Sequence, residues 1–258
     1  MFRRRSLKSD RANVRSEMGD KYYGWRTRIA LMTPSVNTVT EVEFNRYLPE
    51  GVTVHAARLA LDSPVDIEAV RRMNDYVETA AAVLSDTDPD VAVYGVTSGS
   101  FVNGRGHDTE LESEISELMG VPAVTTSAAA RRAFDALGIE SIVIRTPYLN
   151  EINREAESFF KAYGYAVHEV SGEEFVGTED YGTSRPKGVY QAVREMDHER
   201  ADAVFISGME YHGVPILTEL EADLGKPVIT AHSATLWDTL RTAGVDYSSV
   251  GLGMLFEH

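Results

Sequence analysis

The chain repeats one order of strands, turns and helices, and this repeat restricts its fold more than any other feature. Residues 29–37 match residues 142–150, and each stretch contains a Thr-Pro turn followed by an Asn. A Val-His pair recurs at the same offset of 113 residues, from His55 to His168. Alternating strands and helices form parallel sheets with helices on both faces. The repeat therefore predicts two similar α/β units.

We expect an α/β fold of two pseudo-symmetric Rossmann-like (flavodoxin-like) halves, whose parallel sheets face each other across an interdomain cleft. The first half is expected over residues 28–126, joined by a returning C-terminal segment, 229–258, and the second half over 127–228. Residues 1–27 are expected to be a disordered N-terminal extension, because the early residues are rich in Arg and poor in apolar side chains. A start site assigned too early explains residues 1–17 better than an anion-binding tail does.

Composition excludes several classes of function. The chain of 258 residues has no cysteine, which excludes disulfides, thiolate metal sites and cysteine nucleophiles. A net charge of −15 disfavours nucleic acid as a partner, and no apolar run approaches the roughly 18 residues of a membrane span. The acidic balance fits a salt-rich cytoplasm. We therefore expect a cytoplasmic, halophile-like homo-oligomer that binds a small molecule.

The stretch 91–100 places hydroxyl side chains at the end of a buried strand. An apolar run ends at Tyr94, and Thr97, Ser98 and Ser100 follow around a glycine. Ligands of open α/β sheets bind at the carboxyl ends of the strands, and hydroxyl and backbone N–H donors suit a carboxylate. The alternative interpretation is an ordinary strand-to-helix turn with Ser and Thr caps.

Three other strand ends should meet this one in the cleft. The first strand ends before Asn37, and the fifth ends before Tyr148. The seventh ends at residues 207–213, which include Met209. The Asn amide and the Tyr hydroxyl are both good donors to a carboxylate. We therefore predict a small mono- or dicarboxylate ligand held by donors from both halves, with Met209 beside it.

Four motifs together resemble a known family. They are the Pro-Ser-x-Asn turn that ends at Asn37, the Tyr-x-x-Thr-Ser motif that ends at Ser98, the Thr-Pro-Tyr turn that ends at Tyr148, and the ending over 224–241. In these motifs the chain resembles maleate cis-trans isomerases, which belong with arylmalonate decarboxylases in the aspartate/glutamate racemase superfamily. The resemblance covers nearly the whole chain from residue 28. It implies that Asn37, Thr97, Ser98 and Tyr148 form the carboxylate-binding set.

The chain departs from the family at its two catalytic positions. The family uses facing cysteines at the ends of strands three and seven, and these positions correspond to Val96 and Gly208 here. Valine and glycine can act neither as nucleophile nor as proton carrier. The two-thiol racemisation, the covalent isomerisation and the single-thiol decarboxylation of the family therefore cannot be transferred to this chain.

Three interpretations remain open. The first is a cofactor-independent isomerase- or decarboxylase-like enzyme with a non-thiol acid/base. Its candidates are Glu210, Tyr211 and His212, and also His107 or Asp108. His212 is favoured because the pKa of a histidine lies near neutrality. The second is a carboxylate-binding sensor or accessory protein without catalysis. The third is a metal site formed by His107, Asp108 and His212, which no ligand spacing supports, so neither a metal nor a cofactor is expected.

Overall fold

The structure is a computed structural model that describes residues 22–196 and 198–258. Within these residues the strands form two four-stranded parallel sheets. The first contains β1 (Thr27–Pro34), β2 (Val52–Leu59), β3 (Val91–Tyr94) and β4 (Ala123–Thr125). The second contains β5 (Ser141–Thr146), β6 (Ala166–Gly172), β7 (Ala203–Ile206) and β8 (Val228–Thr230). Their spatial orders are β2-β1-β3-β4 and β6-β5-β7-β8, so the predicted fold class is confirmed.

Helices connect the strands and cover the sheets. In chain order they are α1 (Thr40–Tyr47), α2 (Ile67–Met73), α3 (Val77–Ser85), α4 (Thr97–Phe101), α5 (His107–Met119), α6 (Thr126–Leu137), α7 (Asn150–Ala162), α8 (Pro186–Met196), α9 (Leu217–Leu224) and α10 (Ala231–Thr242). Helix α7 shows why these segments are helical, because Ile152, Ala156, Phe159 and Phe160 are buried at helical spacing.

The repeat is visible in individual hydrogen bonds. Asp90, before β3, accepts from the backbone N–H of Arg28 at 2.9 Å. Asp202, before β7, accepts from the backbone N–H of Ser141 at 2.8 Å. Each Asp donates its own backbone N–H to the carbonyl of the same partner residue. The two halves thus align their central strands with the same side-chain contact.

Aromatic side chains join the two halves into one core. Phe134 of α6 packs against Phe160 of α7 and Phe205 of β7, with ring centroids 5.7 Å and 5.4 Å away. Phe101 of α4 contacts Phe159 of α7 at 6.1 Å. Because each contact joins an element before β5 to one after it, the halves share an apolar interface behind the strand ends.

One predicted helix is wrong in its extent. The spacing predicts a single helix over residues 67–84, but a 3-10 turn at Asn74–Tyr76 separates α2 from α3. The turn directs the amide of Asn74 to the carbonyl of Gly99 at 3.2 Å, and its oxygen accepts from the Tyr94 hydroxyl. Through Asn74, this 3-10 turn therefore holds the segment that follows β3 in place.

That segment is helical rather than the polar turn that the sequence predicts. Thr97 and Ser98 begin α4, and the helix is buried throughout. A Cβ atom at Gly99 would lie 2.1 Å from the Tyr94 hydroxyl, so only glycine fits there. Close packing against β3 thus determines where the two hydroxyl residues lie.

The predicted domain boundaries stay predictions, but several contacts bear on them. Helix α10 packs against α6, β4 and α1, as a returning C-terminal segment would. Of the predicted disordered extension, residues 1–21 lie outside the described residues, and β1 begins at Thr27. None of the helices in the described ranges is long and apolar enough to cross a membrane.

A buried carboxylate attaches α10 to α6. Asp238 of α10 is fully buried, and its carboxylate contacts Arg132 of α6 at 2.7 Å and Arg241 at 2.6 Å. Arg132 also contacts Glu112 of α5 at 2.6 Å. The returning helix is thus fixed to α6, and through Arg132 to Glu112 of α5, by charge as well as by apolar packing.

We expect Asp238→Asn to lower the free energy of unfolding by about 2 kcal/mol, because two guanidinium groups lose a buried anion. Asp223→Asn is the matched control, since Asp223 forms an exposed pair with Arg194 at 3.2 Å, and it should change stability by less than about 0.5 kcal/mol. Urea unfolding of both variants measures the difference. Equal effects would show that Asp238 does not fix α10.

Candidate active site

The loops that meet in the cleft follow the central strands of the two sheets. In each sheet the strand order reverses between the first and third strands of the half, β1 and β3 or β5 and β7. Such a switch point opens a crevice at the carboxyl ends of the strands. Asn37 follows β1, Thr97 follows β3, Tyr148 follows β5 and Gly208 follows β7. The four predicted strand ends are therefore those of the two switch points.

Hydroxyl groups from both halves surround the side chain of Tyr148. Tyr148 is 3% exposed, and the hydroxyls of Thr97, Ser98 and Ser207 lie close enough to lower the pKa of its phenol. Burial and the charge of Glu210 outweigh them and raise that pKa, so the hydroxyl remains a donor at neutral pH. We call Thr97, Ser98, Tyr148 and Ser207 the hydroxyl cluster.

Two hydroxyls of this cluster have no aligned hydrogen bond in the described structure. The Oγ1 atom of Thr97 and the Oγ atom of Ser207 are buried and without a partner, although the Tyr148 hydroxyl is adjacent. Buried polar groups are normally satisfied. These two hydroxyls therefore keep hydrogen-bonding capacity that the aligned protein contacts do not use.

The amide of Asn37, predicted to donate to a carboxylate ligand, makes its hydrogen bonds within the protein. Its Oδ1 atom accepts from the backbone N–H groups of Val39 and Thr40, both at 2.9 Å, which fixes the orientation of the amide. Its Nδ2 atom lies 3.0 Å from the carbonyl of Met209 and 3.3 Å from Oε1 of Glu210. The amide thus donates to the second half of the protein, and it holds Glu210 rather than presenting free donors to a ligand.

Glu210 is a buried carboxyl group at the edge of the hydroxyl cluster. It is 7% exposed, and no Arg or Lys within the described ranges forms an ion pair with it. Burial raises its pKa from 4.5 to about 7, although its own backbone N–H and Asn37 oppose the shift. Glu210 also raises the pKa of Tyr148, so the negative charge of Glu210 acts on the hydroxyl cluster. Such a group can both take and return a proton near neutral pH.

Tyr181 is a site residue that the sequence does not reveal. It belongs to the long loop between β6 and α8 and is 7% exposed, with a buried hydroxyl that has no protein partner. Burial raises the pKa of this hydroxyl, and Glu210 and Tyr148 contribute. The only sequence signal is the length of the loop. Ser207 could have been found from its place beside Gly208.

Tyr211 and His212 are directed away from the hydroxyl cluster. The hydroxyl of Tyr211 donates to Glu173 at 2.6 Å and accepts from Arg145 at 3.1 Å. The Nδ1 atom of His212 lies 3.2 Å from Oγ of Ser184, and burial lowers the pKa of the ring. No contact therefore places His212, the favoured acid/base of the sequence analysis, at the hydroxyl cluster. A side chain in a tight turn need not face the strand ends.

Met209 contributes to the site through its backbone. Its side chain is fully buried, with Sδ 4.0 Å from Oγ1 of Thr235. Its carbonyl accepts from Asn37 at 3.0 Å and from Thr40 at 2.9 Å. The predicted substrate-binding side chain is therefore packed in the core, while its peptide group connects the two halves.

His107, Asp108 and His212, the residues of the alternative metal site, each contact different side chains. Nε2 of His107 lies 3.2 Å from the amides of Asn74 and Asn103. Asp108 is fully buried and pairs with Arg131 at 2.6 Å. Within the described ranges, no group of three His, Asp or Glu side chains is arranged to hold a metal ion.

Val96 and Gly208, the positions predicted to correspond to the family cysteines, differ in backbone. Val96 is extended, with φ −138°, and is 3% exposed. Gly208 has φ +111°, and a Cβ atom there would lie 2.9 Å from Cδ of Pro147 and 3.5 Å from the Tyr148 hydroxyl. A side chain at 208 would therefore face the cluster but would require strained backbone and displacement of Pro147.

Comparison with known proteins gives a consistent result. The model of the family described as arylmalonate decarboxylase matches residues 29–256. The maleate isomerase of Nocardia farcinica is 25% identical over 238 residues, which cover 88% of this chain and 94% of that enzyme. The arylmalonate decarboxylase of Bordetella bronchiseptica is 27% identical over 168 residues, which cover 62% of this chain and 68% of that enzyme.

Solved structures share the same fold. A mutant of the Nocardia farcinica maleate cis-trans isomerase with a covalently bound succinylcysteine intermediate matches with a TM-score of 0.84 and 21% identity. It covers 89% of this chain and 98% of that chain. A crystal structure of arylmalonate decarboxylase matches with a TM-score of 0.72 and 21% identity, over 89% of this chain and 99% of that chain.

We expect Gly208→Ala to destabilise the protein by about 1–3 kcal/mol, because the added Cβ meets Pro147 in a left-handed backbone. Gly188→Ala is the matched control, since a Cβ there meets nothing within 4 Å and the residue lies in α8. That variant should gain about 0.5–1 kcal/mol. Thermal unfolding distinguishes the two, and a neutral Gly208→Ala would contradict the backbone argument.

Proposed function

The chain belongs to the arylmalonate decarboxylase family, and we propose that it transfers a proton at the α-carbon of a small mono- or dicarboxylate without a cofactor. Glu210 is the acid/base, in place of the missing thiols. The observation that carries this proposal is a buried carboxyl with a pKa of about 7 beside the hydroxyl cluster, in which Thr97 and Ser207 have no hydrogen-bond partner. The activity is isomerase- or decarboxylase-like.

The hydroxyl cluster suits a carboxylate and the anion that forms from it. Tyr148, Ser98 and Thr97 donate to the substrate carboxylate, and Ser207 and Tyr181 supply further hydroxyls. Negative charge moves onto the same oxygens when the α-carbon loses its proton, so these donors stabilise the transition state more than the ground state. Burial makes each donor more effective than it would be in water.

The proton step balances within the protein. The ionised carboxylate of Glu210 takes the α-proton, the C–H electron pair enters the substrate carboxylate, and an enediolate forms. Glu210 then returns the proton, or a solvent proton that it has exchanged, to the α-carbon. In a decarboxylation, loss of carbon dioxide gives the same enediolate, and neutral Glu210 protonates it.

The contrast with the thiol chemistry of a solved relative supports proton transfer at the α-carbon as the reaction of this chain. One solved relative carries a covalently bound succinylcysteine intermediate. This chain has no cysteine, so a covalent thioether route to an isomerised double bond has no nucleophile. Proton transfer at the α-carbon needs only a base and a group that binds the anion.

A carboxylate-binding protein without catalysis is the second candidate. The observation that favours it is the absence of cysteine from the chain, with Val96 and Gly208 at the two positions that the family resemblance assigns to thiols. Under this alternative Glu210 fixes the ligand instead of moving a proton. The two candidates differ in whether bound acids exchange their α-hydrogen with solvent.

We expect the protein to exchange the α-hydrogen of succinate, lactate or 2-phenylpropionate with solvent in D₂O, or to release carbon dioxide from phenylmalonate. Glu210→Gln should reduce the rate by about 10²-fold or more. Because exchange uses the ionised form of Glu210 as the base, kcat/KM of the wild type for exchange should rise with pH through about 7. Proton NMR measures the exchange. The matched control is Glu219→Gln, an exposed carboxyl on α9.

Exchange that persists in Glu210→Gln with an unchanged pH profile would exclude Glu210 as the base. Carboxylate binding without exchange by any of the four acids would instead favour the binding protein.

We expect Tyr148→Phe to weaken binding of these acids by about tenfold or more, because a charge-assisted hydrogen bond is lost. Calorimetric titration measures the affinity. Tyr190→Phe is the control, since Tyr190 is a half-exposed phenol on α8 that contacts Asp223. Equal affinities for wild type and Tyr148→Phe would show that the carboxylate binds elsewhere.

A further inference from the structure

Glu43 and His232 form a buried pair that the proposed proton transfer does not use. Glu43 lies on α1 and is 8% exposed, while His232 lies in the first turn of α10 and is 2% exposed. Oε2 of Glu43 and Nδ1 of His232 are 3.1 Å apart. The contact joins the first half to the returning helix directly behind Asn37.

Local sequence fixes both partners. Thr230 and Ser233 form a capping box at the start of α10, which places His232 within the first helical turn. Glu43 follows Thr40 on one face of α1, because residues three apart on a helix are neighbours. The imidazole therefore lies between the Glu43 carboxyl and the Thr40 hydroxyl.

A chain of contacts leads from this pair to the proposed acid/base. Nε2 of His232 is 3.2 Å from Oγ1 of Thr40. Thr40 donates to the carbonyl of Met209 at 2.9 Å and accepts from the amide of Asn37 at 2.9 Å. The same amide reaches Glu210. The pair is thus three contacts away from the carboxyl that faces the hydroxyl cluster.

Proton counting assigns each hydrogen in the chain. The carbonyl of Met209 can only accept, and its two lone pairs can take the hydroxyl hydrogen of Thr40 beside a hydrogen of the Asn37 amide. With its hydrogen directed to Met209, Thr40 accepts from His232, which places the ring proton on Nε2. In a neutral imidazole the Nδ1 atom is then an acceptor, and the hydrogen between it and Glu43 must belong to a neutral Glu43.

Burial supports the same assignment. It raises the pKa of Glu43 to about 8, with Arg46 opposing, and lowers the pKa of His232 to about 3, with the Met209 carbonyl opposing. Both groups are therefore uncharged at neutral pH. The 3.1 Å approach is not aligned as a hydrogen bond, and both Glu43 oxygens and Nδ1 have no other partner. A proton on Oε2 of Glu43 shared with Nδ1 would give both of these atoms a partner.

We propose that Glu43 and His232 are positioning residues whose single shared proton sets the direction of the hydrogen bonds through Thr40 and thereby holds Asn37 and Glu210 in place. The inference rests on the proposed function only for its effect on catalysis. The state of the pair itself is independent of any activity.

Loss of the Glu43 proton should reverse the chain. An ionised Glu43 favours the ring proton on Nδ1, so Nε2 becomes an acceptor and competes with the Met209 carbonyl for the Thr40 hydrogen. The charged or titratable groups that act on the pair are Arg46, beside Glu43, and His212, beside His232. Arg46 stabilises the ionised form and lowers the pKa of Glu43, but burial outweighs it and raises that pKa to about 8, so the reversal is expected in the alkaline range.

Nitrogen NMR of histidine-labelled protein tests the pair directly. We expect the His232 ring to carry its proton on Nε2 at neutral pH and to change between about pH 7 and 9 as Glu43 ionises. Comparison with His232→Gln assigns the signals, and Glu43→Gln should abolish the change. A ring protonated on Nδ1 at neutral pH, or a change that persists in Glu43→Gln, would overturn the proposal.

Exchange kinetics test the effect on Glu210. The rate of the wild type should fall above about pH 8, and this alkaline limb should be absent from Glu43→Gln, whose amide can still donate to Nδ1. Glu43→Ala should lose about tenfold in rate, since it leaves a buried acceptor unpaired. Glu68→Gln, an exposed carboxyl on α2, is the matched control and should follow the wild type.

An alkaline limb shared by the wild type and Glu43→Gln would overturn the positioning role. If the wild type shows no exchange at all, the proposed function fails, and the NMR result alone decides whether the pair shares its proton as described.

Discussion

The amide of Asn37 is the contact on which the candidate site depends. Two backbone N–H groups hold its oxygen, so its nitrogen must face the second half of the protein, where it meets the Met209 carbonyl and Glu210. This side chain therefore fixes the distance between the end of β1 and the turn after β7. If it rotated, Glu210 would lose its only side-chain donor in the described structure, and the hydroxyl cluster would lose its neighbouring carboxyl.

Burial can take over the role that sulfur has in the relatives. A free thiol ionises near pH 8.5 and a free glutamate near 4.3, so an exposed carboxylate is a poor proton donor at neutral pH. Glu210 is shifted to about 7 chiefly by removal from water. The same removal keeps Tyr148 protonated. One physical effect thus adjusts the proposed acid/base and the proposed anion-binding donor together, because both groups are buried where loops of the two halves meet.

The repeat was sufficient to predict the paired sheets and the four strand ends, because strand and helix periods survive in the apolar pattern. It also predicted Val96 and Gly208 at the ends of β3 and β7, which they follow in the structure. It did not reveal the directions of side chains in the turn after β7, where Glu210 faces the cluster while Tyr211 and His212 face elsewhere. Turn residues carry no period, and contacts such as His232 with Glu43, 189 positions apart by their numbers, leave no local signal. Tyr181 was missed for the same reason, since nothing in a loop sequence shows which side chain folds inward.

The left-handed backbone at Gly208 has a consequence for substitutions at this position. A thiol cannot be introduced at position 208 by one substitution without penalty, because the new Cβ would collide with the ring of Pro147. A second change in the neighbouring turn would be needed to relieve that collision. The geometry therefore closes one of the two predicted thiol positions to single substitutions, whereas the extended backbone at Val96 leaves the other open.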